Sequence, residues 1–404
     1  MRISTSMIFS NATQNMLQLQ SGIYHLQNQM STGRRILTPS DDPVAAAQAL
    51  TISQNQAVNK QYLDNQGNAA DKLALIEGHI NSVSELIVSV QEQAASAVGK
   101  TGSDPLLKVI AAEIRQRYDE LVGLSNSSDA LGDYVFSGFS SKIQPFSAQG
   151  SPGSRTVSYA GDGGQQQLQV ASGRLMDVSE SGSAVFMRIP QGNGHFVFSA
   201  GSANAGTGTI SASSLVSGYD QNTYELNFTS ASTYTLTTNG VNDPTPVAYT
   251  PGSAIVLGAS GQQINIAISG TPAPGDTFSV VPATNQDIFK TLDDMITALE
   301  SNVSTNDSTK AAFKNQMDLV SKNLGQALVS VLTVQTSVGA RRAELESLTS
   351  AANDADTQYQ SNLDRLQNLD YTQAISDMSN QKMILDAAMQ SFTQVSQMSL
   401  FNYL

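Results

Sequence analysis

The chain has 404 residues, 14% of them charged and 40% hydrophobic, with a formal net charge of −13. This acidic, charge-poor balance disfavours binding to a phosphate backbone, which needs clustered Lys and Arg. The absence of Cys excludes disulfides and thiol catalysis, and the length is a prior for two or three domains.

From the N-terminus, Met1–Met7 lacks the apolar core of a secretory leader, and no apolar run reaches the length of a membrane span. Met16, Leu19, Ile23, Leu26 and Met30 then recur at alternating three- and four-residue steps, the spacing of one apolar helix stripe. The other faces carry Gln, Asn, Ser and Thr where a solvent-facing helix usually carries charge. Gly33 is placed to end this helix. Thr38-Pro39-Ser40-Asp41-Asp42-Pro43 starts the next, with Ser40 or Asp41 as its cap and Pro43 at the first helical position. Capping rather than catalysis is the expected role of the Asp41–Asp42 pair.

The second helix runs from about Pro43 to Val98. Its seam is Leu73, Ile76, Ile80, Val83, Ile87, Val90, Ala94 and Ala97. Gly99–Asp104 is a turn. Its Gly-Lys-Thr resembles the tail of a phosphate loop but follows a helix, with Ala94 where the first glycine belongs, so no phosphate site is expected. Pro105 opens a third helix with Leu107, Ile110, Ile114, Tyr118 and Leu121 on one face. Short turns between long helices imply antiparallel neighbours.

From Gly132 to about Pro282 the helical period is lost. Short alternating runs at 156–159, 167–170, 195–199, 223–228, 233–237, 254–257, 263–268 and 277–281, separated by turns such as Asn239-Gly240, predict a small β-sandwich or barrel. Helical period returns at Ile288, Leu292, Met295, Leu299 and Val303, where Asp293–Asp294 reads as a solvated face. The longest helix follows. Met317, Val320, Leu324, Ala327, Val331, Val334, Val338, Leu345, Leu348, Ala352, Ala355 and Tyr359 form one stripe, interrupted only by Arg341. A last amphipathic stretch carries Ala374, Met378, Leu385, Ala388, Phe392 and Val395. The predicted fold class is therefore α with an all-β insertion, in which long antiparallel heptad helices from both chain ends form a rod. The expected domains are an N-terminal axial helix over 1–40 paired with a C-terminal one over 371–404, two halves of a helical rod domain over 41–140 and 285–370, and a β-rich outer insertion over 141–284. The low-charge arms are expected to order fully only in an assembly.

No constellation supports catalysis, and no cofactor is expected. His25, His79 and His195 are scattered and lack metal-ligand spacing, and no strand–turn–helix serine elbow is present. The residues singled out are structural: the seam positions Leu73, Ile76, Ile80, Val83, Ile87, Leu324, Val331, Val338, Leu345 and Leu348, and the Gly33–Pro43 segment.

Ser31–Ala46, with Gly33, Arg34, Ser40, Asp41, Asp42 and Pro43, resembles the N-terminal signature of the flagellin family. The Pro-Ser-Asp-Asp-Pro form is similar to the family's hook–filament junction members; filament flagellins more often have Ala at the place of Pro43. Tyr134–Gly138 resembles the family's post-helical turn, and Ser399–Leu404 its C-terminal end. The similarity covers roughly 1–140 and 285–404. It implies a non-enzymatic, extracellular part of the bacterial flagellum that leaves the cell by type III export without a cleaved signal. It also implies a ring of subunits adapting hook to filament. The implied partners are copies of itself, a neighbouring hook-associated junction protein, filament flagellin and an export chaperone at the C-terminal region, with no nucleic acid and no membrane. The alternative is a filament-forming flagellin. A third reading makes the β insertion a carbohydrate-binding module, for which the aromatic residues are few.

Overall fold

The computed structural model describes residues 5–151, 153–301 and 303–397. The chain divides into two compact units, Met1–Asn65 with Ser347–Leu404, and Gln66–Glu346. The helices are α1 (Thr5–Thr32), α2 (Pro43–Val98), α3 (Asp104–Ser125), α4 (Ile288–Glu300), α5 (Asp307–Gln367) and α6 (Tyr371–Gln397). Helices α2 and α5 contribute to both units.

In the first unit α1 and α6 lie antiparallel. The rings of Phe9 and Phe392 meet edge-on at 5.6 Å, and the Tyr371 hydroxyl donates to the Met30 carbonyl at 3.2 Å near the other end. The expected seams face the pair, but Met16, Leu19, Ile23, Leu26, Leu385 and Phe392 are only half-buried. Two helices cannot enclose a stripe from all sides. In the same unit the opening turns of α2 meet the end of α5, where Asn59 donates to the Ala352 carbonyl at 2.7 Å and Gln56 to Asp356 at 3.1 Å.

The second unit has two cores. One lies among helices. Leu73, Ile80, Val83 and Ile87 of α2 and Leu324, Val331 and Val338 of α5 are all 0% exposed. Seam burial of this kind is worth roughly 1.5–3 kcal/mol per large side chain. Phe146, Phe186 and Phe289 stack with Phe136 and Tyr118 at centroid distances of 5.2–6.2 Å. Burial pushes the Tyr118 hydroxyl up to about 12. One window of α2 has a mean hydropathy of 1.3, long and apolar enough by composition to cross a membrane. This corrects the expectation that none reaches that length. The sequence shows no unbroken apolar run because a heptad seam plus interspersed Ala raises the average instead, and here that seam is packed against protein.

The other core belongs to the β insertion. The strands are β1 (Phe146–Gln149), β2 (Thr156–Tyr159), β3 (Gln167–Ala171), β4 (Arg174–Asp177), β5 (Ile189–Pro190), β6 (Phe196–Ala200), β7 (Thr209–Leu215), β8 (Tyr224–Ser230), β9 (Thr233–Thr238), β10 (Val241–Ala248), β11 (Ala254–Leu257), β12 (Ile264–Ser269), β13 (Thr277–Pro282) and β14 (Asn285–Gln286). A five-stranded sheet, β10-β9-β8-β13-β6, faces a three-stranded one, β11-β12-β7. Phe198, Leu226, Phe228 and Phe278 from the first share a buried cluster with Ile255, Ile264, Ile266 and Ile268 from the second. The sheets are small and open, so the barrel half of the sandwich-or-barrel expectation does not hold. Strands β1–β2, β3–β4 and β5–β14 form separate two-stranded pairs.

A candidate interaction site at the crossing of two helix connectors

The first unit breaks its helices at one level. The connector from α1 to α2, residues 33–42, lies against the connector from α5 to α6, residues 368–370. Gly33 adopts φ +70°, the left-handed cap conformation, and its carbonyl accepts the Leu369 amide at 3.0 Å. The Arg35 amide donates to the Gln367 carbonyl at 2.7 Å, so Arg34 and Asn368 form a one-residue antiparallel bridge. A side chain at Gly33 would be strained by its φ and would stand 3.2 Å from the Tyr371 hydroxyl.

Arg35 spans the crossing. Its guanidinium donates to the Leu366 carbonyl at 2.9 Å, at the end of α5, and to Asp42 at 3.2 Å, at the start of α2. Gln29 of α1 donates to the Arg35 carbonyl. The two neighbouring carboxylates have different tasks. Asp42, not Ser40 or Asp41 as expected, caps α2, accepting the Ala45 amide at 3.0 Å with Pro43 as the first helical residue. Asp41 folds back on its own loop, accepting the Leu37 and Thr38 amides at 2.9 Å each. The turn that carries Ser40, whose hydroxyl meets Thr38 at 2.7 Å, extends the connector by one residue and moves the cap along. The Thr38 and Leu37 amides hold the Asp41 carboxyl below its ordinary range, with His25 Nε2 3.8 Å away as a smaller influence. The Ala45 amide does the same for Asp42, followed by Arg35. Asp370 caps α6 through the Thr372 and Gln373 amides.

The signature residues Gly33, Arg34, Asp41, Asp42 and Pro43 thus meet in one clasp, with Ser40 at its rim. Arg35 falls within the signature segment with no role marked for it, and Gln29 and Asn368 carry no signal in the sequence. The Leu366 carbonyl that Arg35 reaches and the Arg34 that Asn368 pairs with lie far along the chain, whereas Gln29 reaches the Arg35 carbonyl only six residues on, through a turn its own helix does not announce. The seam residues are placed separately. Leu73, Ile76, Ile80, Val83, Ile87, Leu324, Val331, Val338 and Leu345 are 0–2% exposed, and Leu348 is half-buried. Arg341, the interruption in the stripe, donates to the Asp177 carbonyl at 2.9 Å and pairs with the buried Glu180. Asp293 corrects the expectation of a solvated face: it is 0% exposed and accepts the Gly153 and Arg155 amides at 2.9 and 3.2 Å. Among the described residues no group of His, Cys, Asp or Glu could hold a metal. The C-terminal stretch Ser399–Leu404 lies outside the described residues.

Residues 3–141 match the bacterial flagellin N-terminal helical region. FlgL from Xanthomonas campestris is 30% identical, with a TM-score of 0.67 over 76% of this chain and 98% of that one. The chain belongs to the FlgL family, the hook-associated protein 3 family. Two further members bear on it. Flagellar hook-associated protein 3 of Salmonella typhimurium is 27% identical over 99% of both chains. The flagellar junction protein FlgL of Legionella pneumophila is 29% identical, with a TM-score of 0.70 over 80% of this chain and all of that one. A phase 1 flagellin of Salmonella naestved, by contrast, is 28% identical over only 33% of this chain. The FlgL relatives share the helical ends and the central β-rich region with this chain, whereas the flagellin match stops short of that.

Proposed function

We propose that this chain is the structural adaptor at the hook–filament junction of a bacterial flagellum. It works without catalysis, assembles with copies of itself into a ring, and lets filament subunits polymerise beyond it. Its neighbours are a hook-associated junction protein on one side and filament flagellin on the other. An export chaperone holds the C-terminal region before secretion, which proceeds without a cleaved signal. In this reading 1–40 and 371–404 are axial helices, 41–140 with 285–370 form a heptad-packed rod, and 141–284 is the outer insertion. The seam residues hold that rod, and the Gly33–Pro43 signature is its joint to the axial helices.

The observation that carries the reading is the α1–α6 hairpin. It leaves Leu17 60%, Tyr24 58%, Met383 68% and Ile384 54% exposed, with few charges to keep such faces in water. Near its open end Phe9, Ala12, Met16, Ala388, Phe392 and Val395 line a groove of about 250 Å³. Apolar faces on so thin a pair need neighbouring subunits to cover them. Similarity to FlgL over the full chain supports the adaptor over the filament-forming flagellin.

The test is complementation of bacteria that lack this chain. The full chain should restore filaments to bare hooks that shed flagellin into the medium. Deletion of 371–404 should leave a soluble, β-containing monomer that restores nothing. Normal filaments with the truncated chain, or long homopolymers of the full one, would reject the adaptor role.

A further inference from the structure

The β-sandwich is tied to the helices of its unit by a narrow neck. The chain enters through β5 and leaves through β14. Ile189 and Pro190 pair with Gln286 and Asn285, and the Gln191 amide donates to the Thr284 carbonyl at 3.0 Å. A two-stranded ribbon bends and twists easily by itself. Beside it a crevice of about 570 Å³ lies between Ser199–Ser202 of the sandwich, Thr297 of α4 and Phe313 and Gln316 of α5.

Among the described residues, side-chain hydrogen bonds from α5 span to the sandwich. Asn315, 7% exposed, accepts the Ile210 amide at 2.7 Å and donates to the Gly208 carbonyl at 3.0 Å. Strand β7 ends the three-stranded sheet, so these two backbone atoms belong to its open edge. One carboxamide takes the place that a neighbouring strand's peptide would fill. Asn323, 5% exposed, accepts the Gly192 amide at 2.7 Å, in the turn that leads from the neck into β6. Gly192 sits at φ +62°, where a Cβ would stand 2.3 Å from the Phe196 carbonyl oxygen, so the turn keeps its amide aimed at α5. Lys322 adds a bond to the Ser213 hydroxyl at 2.9 Å. Asn315 and Asn323 are about 12 Å apart along the helix. Two buried attachments that far apart resist rotation, which a single one would not.

We propose that Asn315 and Asn323 are positioning residues that fix the angle of the sandwich on α5. They do little for the stability of either part. Buried amide pairs contribute modestly when made, but strand backbone groups when broken. With the carboxamides removed, the sandwich must swing off α5 so that water can reach Gly208, Ile210 and Gly192.

The chain has no Cys, so spin labels can be placed through V88C on α2 and V256C on β11, both exposed at 40% and 53%. Electron–electron distance measurements on the full chain should give one narrow distribution. The N315L/N323L variant keeps the branched shape and heavy-atom count of the two side chains, removes their polar atoms and favours helix. It should at least double the width of that distribution, with helical circular dichroism and melting unchanged. An unaltered width would overturn the proposal. Should the variant lose its helical signal, hydrogen exchange on the parent chain decides. Slow exchange at Ile210 and Gly192, comparable with ladder amides, supports the latch, and exchange as fast as an open strand edge overturns it.

Discussion

Helices α1 and α2 carry the same three-four spacing of apolar side chains, yet Leu73, Ile80, Val83 and Ile87 are sealed while Met16, Leu19, Ile23 and Leu26 stay half-buried. The stripes differ little in composition; the number of partners differs. In the second unit the α2 seam is enclosed by other elements, which add directional contacts such as Gln93 to Glu113 on α3 and Gln335 of α5 to Asn81. In the hairpin, α1 has chiefly α6. A heptad pattern therefore specifies which side of a helix is sticky and leaves open how completely it will be covered. Long α-helices draw most of their stability from such covering, so the hairpin is the part of this chain with most to gain from neighbours.

The sharpest way to break the comparison is to put the same charge into both kinds of seam. Leu345 is 2% exposed in the second unit, and Leu345→Asp should cost about 3–5 kcal/mol by burying an unpaired carboxylate. Leu348 is half-buried in the first unit, and Leu348→Asp should cost less than half as much, because its carboxylate keeps water. Equal losses in chemical denaturation would contradict the contrast drawn between the units.

Next in size is Asp293→Ala. It removes the acceptor of the Gly153 and Arg155 amides and should cost about 1–3 kcal/mol. A neutral result in denaturant titrations would mean that water replaces the carboxylate there.

A smaller and local effect is expected of acid on the connector clasp. The folded state holds the Asp41 and Asp42 carboxyls below their ordinary values. Their contribution is complete above the unfolded carboxylate value, about 3.9. It is lost as pH falls through the lowered folded values. Exchange of the Leu37, Thr38 and Ala45 amides should therefore stay slow from neutrality to about pH 5 and quicken only below about pH 4, once intrinsic rates are divided out. D41A/D42A, which removes the acceptors of all three amides, should show fast exchange at neutral pH. Loosening that begins near neutrality would overturn the assignment to these two carboxylates.

The least effect belongs to the exposed pair of Arg174 with Glu344, despite two bonds of 2.7 Å. Water and salt screen it, so Arg174→Ala should leave the melting temperature within measurement error. A clear drop would show that the β3–β4 hairpin depends on it.

Much of this fold was legible because it rests on local rules. Helix α2 spans the expected Pro43–Val98, and β2 and β11 fall on the expected residues, since capping, proline position and alternation act over a few residues. Strand β10 escaped notice for an equally physical reason. It is an edge strand, exposed throughout, with Pro244 and Pro246 in the irregular stretch between Asp243 and Val247, and edges tolerate residues that central strands reject. Strand β7, rich in Ser, lacks the alternation that marks a buried face. At the connector crossing the Gly33–Pro43 segment announced itself as a cap and turn. The role of Arg35 did not, because it depends on the Leu366 carbonyl, 331 residues away in sequence.

The sequence by itself determined where helices begin and end, which of their sides are apolar, and that a sheet-forming segment interrupts them, because periodicity and capping are properties of neighbouring residues. Only the tertiary structure decided which seams are sealed, that Asp293 is buried while Asp294 is not, that Arg341 finds Glu180, and that Asn315 and Asn323 meet the sandwich. Each of those depends on a group brought from far along the chain, and a pattern in one segment carries no information about what another segment will place against it.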